Sequence, residues 1–394
     1  MLESFYKTHD YLVEHVQMPV RRRLMDEINW HDRLIAIKGS RGVGKTDFLL
    51  SYAKLLTDRD PERRREILYI NFNNFYFTEH SLYEFAGEFV KQGGKTLLID
   101  HTFKYPNWSK ELRDCYFHYT GLRIIFSASP VMRLIEGNSD IGHIVKMYNM
   151  RGYSFREYLN LQTGTNLPVY TLDEILHHHV DIAHSICSQV KPMWFFRDYL
   201  EHGYYPFGVE NADFMASLLK TMNMMLEVDV LLIKQIEVAY LHRIRQLLYM
   251  LLSEAPCGLN ISKLSESTDT SRATVINYIK CLKDARLINM LYAEGKEFPM
   301  KPARIYMQNP NLCFALPTRQ VDDQDVAETF FYNAIHGLHK VNAVENATFL
   351  IDQKMRFDVL ATKPKVPGFR FAAIGDMEIG VNKQVPLWLF GFLY

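Results

Sequence analysis

Eight consecutive residues, Gly39-Ser40-Arg41-Gly42-Val43-Gly44-Lys45-Thr46, constrain this chain more than any other feature of its sequence. They satisfy GxxxxGK[ST] at every fixed position. Such a string does its chemistry only between a strand and a helix. Glycines let successive N–H groups close around phosphate oxygens, and the positive end of the helix dipole lies behind them. The flanks fit: Leu34-Ile35-Ala36-Ile37 is a short apolar run that reads as a buried parallel strand, and Asp47–Leu56 has helical length. Lys45 is expected to reach the β- and γ-phosphates of ATP and Thr46 to place its hydroxyl on Mg²⁺. Asp47, next in line, joins the expected nucleotide-contacting set.

The run of short strands continues through Ile67–Ile70, Thr96–Ile99 and Arg123–Phe126, with segments of helical length such as Leu82–Lys91 between them. Strand and helix alternating over about 120 residues predicts a parallel sheet with crossovers. Asp100 closes the third of these strands, Leu97-Leu98-Ile99, at the edge where open α/β sheets bind ligands, and is the expected magnesium-holding carboxylate. Ser127 ends the fourth strand. Its hydroxyl is placed to sense a γ-phosphate, although serines after strands also serve as plain turn residues, and both readings stand.

A chain of 394 residues suggests two or three domains. Lys+Arg and Asp+Glu balance at 45 each, which argues against a protein that coats polyanions but leaves room for a local basic face. Five scattered cysteines without CxxC spacing indicate neither a zinc site nor a disulfide framework, as expected of thiols in a reducing compartment. No stretch approaches the roughly 18 apolar residues of a membrane helix, and the apolar Pro386–Tyr394 run is too short for one, so the expectation is a cytoplasmic protein with no membrane partner.

Beyond Tyr153 the pattern turns helical, over Phe155–Leu161, Leu172–Val190 and Phe214–Val228. A helix–turn–helix follows: Leu259–Ser267, a break at Thr268–Thr270, then Ser271–Ala285 with a buried stripe of Val275, Ile279 and Leu282. On that second helix Arg272, Asn277, Lys280 and Lys283 are left for phosphates or base edges of DNA. The last 80 residues return to mixed α/β, with a helix from about Ala327 and strands near Ala347–Ile351 and Arg356–Leu360. Arg21-Arg22-Arg23 and Arg63-Arg64-Arg65 read as solvated turns. His177-His178-His179 does not read as a metal site, because consecutive helical residues point about 100° apart.

Several strings together resemble the bacterial and archaeal AAA+ ATPases that carry a C-terminal domain of unknown function. They are Lys38–Thr46, Leu98–Asp100 with Tyr105-Pro106-Asn107-Trp108, Ser154-Phe155-Arg156-Glu157-Tyr158-Leu159, Gly203-Tyr204-Tyr205-Pro206-Phe207, Asn309-Pro310-Asn311-Leu312 and Leu387-Trp388-Leu389-Phe390-Gly391. The resemblance implies a P-loop AAA+-like parallel-sheet core over 1–153 and a helical lid over 154–236. It further implies a winged helix over 237–310 and a small α/β restriction-endonuclease-like domain over 311–394. Relatives usually follow the magnesium-binding Asp with a catalytic Glu; here His101 stands in that place. They tend to carry Arg residues where Gly142-His143-Ile144 appears, and acidic residues where Asn73 and Asn74 appear. In the terminal domain Thr348 occupies the expected carboxylate position, and Asp358 is followed by a lysine only at Lys363.

The expected function is therefore an ATP- and Mg²⁺-binding switch with weak hydrolysis, His101 being the residue at the catalytic position. Two other readings remain: a DNA-binding winged-helix protein whose P-loop core is structural, and an ATPase completed by a protein partner or a second copy of the chain.

Overall fold

Short aliphatic runs build the first sheet. The strands are β1 (Leu34–Lys38), β2 (Ile67–Asn71), β3 (Thr96–Asp100), β4 (Arg123–Ala128) and β5 (Lys146–Asn149), all parallel in the order β2-β3-β4-β1-β5. The computed structural model describes residues 2–17, 19–210, 213–316, 320–364 and 370–394. It forms two units, Met1–Arg151 and Gly152–Tyr394. The first four strands lie where the apolar runs place them. β5 carries no such signal: it is an edge strand whose Lys-Met-Tyr-Asn sequence leaves no residue fully buried, so no apolar run marks it.

The strand order brings the C-terminal ends of β1, β4 and β3 side by side. Ile37 pairs with Ser127, and Ile99 with Phe126, so the next residue, Asp100, falls level with Ser127. Asp100 in turn pairs with Asn71 of β2. Between β1 and the helix Lys45–Arg59 runs the glycine loop.

Arginines read as solvated turns divide into two kinds. Arg63, Arg64 and Arg65 do lie on an exposed 3₁₀ turn, paired with Asp60, Asp10 and Glu3. Arg21 and Arg23 pair locally with Asp26 and Glu27. Arg22 departs from the expectation: its guanidinium turns inward and donates to Val43 O (3.2 Å) and Arg151 O (2.6 Å), tying the glycine loop to the end of the unit.

In the second unit the helices Phe155–Thr163 and Leu172–Cys187 each begin with a capping box, Ser154 with Glu157 and Thr171 with Glu174. At Tyr199–Gly203 the chain winds a π-turn whose main-chain groups take side-chain partners as well. Asn311 supplies them. Its buried amide donates to Tyr199 O (3.0 Å) and Leu200 O (2.8 Å), while its Oδ1 accepts from Tyr204 N–H (2.9 Å). Next to it, Gln308 and Asn309 donate to the buried hydroxyls of Tyr204 and Tyr205.

Helices Leu241–Glu254, Ile261–Ser267 and Arg272–Asp284 precede an antiparallel hairpin of β6 (Ile288–Leu291) and β7 (Arg304–Met307). Ser271 caps the third of these helices, and Val275, Ile279 and Leu282 are buried on it. A second sheet follows in the order β12-β11-β10-β9-β8: β8 (Val341–Asn342), β9 (Phe349–Ile351), β10 (Met355–Leu360), β11 (Phe371–Ile374) and β12 (Gln384–Pro386). The helix Asp323–Ile335 packs on β10, and the apolar C-terminal run, wound into a 3₁₀ helix over Leu387–Phe392, is buried against it. Among the described residues no helix is long and apolar enough to cross a membrane.

Removing the Asn311 amide strands two buried carbonyls and one N–H, each worth about 1–3 kcal/mol when left unpaired. Asn311→Ala is therefore expected to lower unfolding stability by about 3 kcal/mol in urea titrations. Exposed Asn277→Ala, the control, should change it by less than about 0.5 kcal/mol.

Candidate functional site: the glycine loop and the Asp100 cluster

Backbone conformation at the loop is one that side chains resist. Gly42 and Gly44 have φ of 79° and 88°, in the left-handed region. At Gly39 the restriction is space: a Cβ there would stand 2.6 Å from Met150 O. Val43 is fully buried and Ser40 nearly so, which anchors the loop while Arg41, Gly44 and Lys45 keep partial exposure. The 15-residue helix Lys45–Arg59 starts directly at the loop, so its free N–H groups and dipole face the same space. The Lys45 ammonium points into the loop and donates to Gly39 O (2.8 Å) and Ser40 O (2.7 Å). Asp47 lies exposed on the first turn of that helix.

Asp100 is the centre of the cluster, with only 3% of its surface exposed. Oδ2 accepts from the Thr46 hydroxyl at 2.6 Å and from the Tyr69 phenol at 3.0 Å. Oδ1 accepts from the Ser127 hydroxyl and from His101 N–H at 2.8 Å. Burial by itself would raise the carboxyl pKa. The hydrogen bonds from His101, Ser127 and Thr46, with the neighbouring imidazole, outweigh it and hold the group below the usual carboxylate range. Burial first, and then the charge of Asp100, push the Tyr69 phenol well up, so it stays a donor.

His101 adopts a left-handed conformation, with φ 56° and ψ 37°. Its N–H is shared between Asp100 Oδ1 and Ser127 Oγ (3.1 Å). The imidazole folds back toward the carboxylate: Nδ1 lies 3.4 Å from Asp100 Oδ2, outside hydrogen-bond geometry, and is buried with no hydrogen-bond partner among the described residues.

Lys45, Thr46, Asp100, His101 and Ser127, named from sequence, thus lie together. Tyr69 and Arg22 were not named. Tyr69 had a usable signal, since it stands two residues before Asn71 on β2, and β2 registers with β3 so that Tyr69, Asn71 and Asp100 share a face. Arg22 had none, being remote in sequence from everything it holds.

Elsewhere the expected contacts are looser. On the helix Arg272–Asp284, Lys280 is committed to Asp284, which also holds Lys234, while Arg272 and Asn277 stay exposed. Asp358 sits mid-strand on β10 with Arg370 Nη1 3.8 Å away; the Thr348 hydroxyl accepts from Val359 N–H (3.1 Å), and Lys363 lies beyond the strand. His177 pairs with Asp173, His178 sits at a kink, and His179 contacts Asn382 O.

Residues 31–159 match the AAA domain. Residues 193–316 match a domain of unknown function, DUF8612. An uncharacterized protein of Methanocaldococcus jannaschii is 24% identical over 277 residues, which is 66% of this chain and 57% of that one. The chain thus spans little more than half the length of the curated relative it matches. Among solved structures, AMPPCP-bound DnaA from Aquifex aeolicus aligns at 12% identity over 71% of this chain and 87% of its own, with a TM-score of 0.25. PCH-2 of C. elegans aligns at 13% over 72% and 68%, with a TM-score of 0.26.

A carboxylate whose pKa is depressed in the folded state stabilises it above the unfolded pKa of about 3.9, and loses that contribution as pH falls toward the folded value. The stability difference between wild type and Asp100→Asn should be flat above about pH 5. Below about pH 4 it should shrink in wild type's disfavour, by up to about 1.4 kcal/mol per pH unit. Urea unfolding of both proteins between pH 3 and 7 checks this.

Proposed function

We propose that the first unit binds ATP with Mg²⁺ and acts as a nucleotide-dependent switch that hydrolyses slowly. One observation carries the reading: at the mouth of a helix-backed glycine loop, Thr46 and an ionised, buried Asp100 are already joined by a hydrogen bond, with Ser127 on the carboxylate's other oxygen. The residues fit the ligand. Main-chain N–H groups of the loop and the Lys45 ammonium would hold phosphate oxygens, and Thr46 and Asp100 offer the oxygen donors that a hard divalent cation takes. Bound there, Mg²⁺ would neutralise charge developing on the phosphates. The close approach of Met150 O at Gly39 keeps the loop's main chain tight on its strand, and Arg22 braces its far side.

Slow hydrolysis follows from what stands beside Asp100. Water attack gains from a side chain that accepts its proton, a contribution of about 10²–10⁴-fold. A glutamate there would stay anionic at neutral pH. His101 instead directs its ring back toward Asp100 Oδ2, with Nδ1 3.4 Å away. Ser127, bonded to Asp100 and to the His101 main chain, couples the γ-phosphate side of the pocket to both.

The proposal leaves the DNA-facing reading of the helix Arg272–Asp284 aside, because Asp284 takes up the charge of Lys280. The terminal sheet is likewise read as non-cleaving: Asp358 faces Arg370, and a threonine holds the other position.

Mg²⁺-ATP at 100-fold above Kd should stabilise the protein by about 2.7 kcal/mol, read as a rise in melting temperature. Lys45→Ala should remove most of that rise; no shift in wild type at millimolar ATP sinks the proposal.

His101→Glu should raise the steady-state ATPase rate by about tenfold or more with little change in ATP affinity. That is less than the full gain from a general base, because losses within one site do not add. If His101→Ala abolishes a robust wild-type activity instead, the histidine is itself catalytic and slow turnover is the wrong reading.

A further inference from the structure

In the first sheet β2 is an edge strand, with β3 on one side. An edge strand presents main-chain N–H groups that the ladder does not use, and Tyr69 on β2 is buried, so its N–H needs a partner from elsewhere. The partner is the imidazole of His9, on the helix Leu2–His15: Tyr69 N–H donates to His9 Nδ1 at 3.0 Å. Only 1% of the His9 surface is exposed. Burial pulls its pKa down to about 4, against the opposing charge of Asp10. The ring is therefore uncharged at neutral pH, and Nδ1 keeps the lone pair that this bond requires.

The helix is itself fixed to the turn ahead of β2. Tyr6 Oη donates to Arg65 O (2.5 Å), Asp10 accepts from Arg64 (2.9 Å) and Glu3 from Arg65 (3.1 Å). The Tyr6 and His9 rings meet edge to face, with centroids 6.5 Å apart. From Tyr69 the contacts run inward. Its phenol donates to Asp100 Oδ2 (3.0 Å), the oxygen that also accepts from Thr46 (2.6 Å). Ser127 and His101 N–H occupy the other oxygen, so four donors meet the roughly four lone-pair positions of one carboxylate and fix its orientation. A phenylalanine at position 69 would fill the same apolar space. Without the phenol, though, Oδ2 would depend on the Thr46 hydroxyl alone, whose oxygen is the one that Mg²⁺ would take.

We propose that Tyr69 and His9 are positioning residues for the carboxylate that holds Mg²⁺. Tyr69 acts through its phenol, and His9 acts by fixing the Tyr69 main chain, so the N-terminal helix sets how strongly nucleotide binding depends on Mg²⁺. Groups that orient a metal-holding side chain in this way are worth about 10–100-fold in metal affinity. The inference rests on the ATP-binding reading of the first unit, and it is independent of how fast that unit hydrolyses ATP.

Isothermal titration calorimetry of the full chain reads the affinity for ATP with Mg²⁺ and, separately, for ATP in EDTA. Wild type should bind Mg²⁺-ATP more tightly. Tyr69→Phe should weaken Mg²⁺-ATP about tenfold or more, and ATP in EDTA by less than about twofold. His9→Leu should weaken Mg²⁺-ATP about threefold. His9→Asn, which keeps an acceptor one bond beyond Cγ, should restore most of that loss, and circular dichroism should show each variant folded. The inference is overturned if Tyr69→Phe weakens ATP equally in both conditions, the mark of a purely structural side chain, or if His9→Asn does no better than His9→Leu. Wild type that binds Mg²⁺-ATP while Tyr69→Phe changes nothing sinks this inference alone. Wild type that binds ATP in neither condition sinks the reading it rests on as well.

Discussion

A buried carboxylate that keeps its charge is the constraint on which the first unit turns. Asp100 is enclosed on nearly every side, and an uncompensated charge there would be costly. Its two oxygens collect four donors from four different places in the chain: the start of the helix Lys45–Arg59, β2, the residue after β3 and the end of β4. Each donor is delivered by the strand order, since β4 must lie between β1 and β3 for Ser127 and Thr46 to reach one carboxylate. The sheet topology and the chemistry of the site are thus one requirement.

Most of that arrangement was legible in the sequence because it rests on local signals. Glycines at positions that need a left-handed φ or close approach, an apolar run ahead of them and an Asp closing another run are visible one segment at a time. What escaped depends on distant partners. Arg22 looked like any charged turn because Val43 O and Arg151 O, which it holds, are 21 and 129 residues away. β5 escaped because an edge strand need not be apolar. The π-turns at Tyr199–Gly203 and Met225–Ile233 escaped for another reason: their composition is that of an ordinary helix, and only their hydrogen-bond partners distinguish them.

Three of the strings behind the wider resemblance, Ser154–Leu159, Gly203–Phe207 and Asn309–Leu312, prove to be joints of the second unit. Gly203-Tyr204-Tyr205 and Asn309-Pro310-Asn311 meet across more than 100 residues, where the buried Asn311 amide bonds Tyr199 O, Leu200 O and Tyr204 N–H. Gly203 has no room for a Cβ, which would stand 2.6 Å from Tyr199 and 2.9 Å from Tyr158. Ser154–Leu159 opens with a capping box, and Arg156 on it reaches Leu167 O (3.3 Å) and Tyr394 O (3.2 Å). Such residues are specific because several unlike groups must be satisfied at once, whereas a surface helix can be written in many ways. Their specificity therefore speaks for architecture rather than for chemistry.

A slow nucleotide site is compatible with control in a way that a fast one is not. A ligand shifts a conformational equilibrium only by its differential affinity for the two states, commonly about 1–3 kcal/mol between coupled sites. That bias lasts only while the nucleotide stays intact. With a general base in place the bound state is consumed as it acts; under the proposed function, slow turnover would leave the lifetime of the bound state to be set more by release than by chemistry. The same carboxylate that organises Thr46 and Ser127 would then fix both how tightly nucleotide is held and how long it persists. On the proposed function, a His at position 101 would make the site a timing element while keeping the main-chain N–H that bonds Asp100 and Ser127.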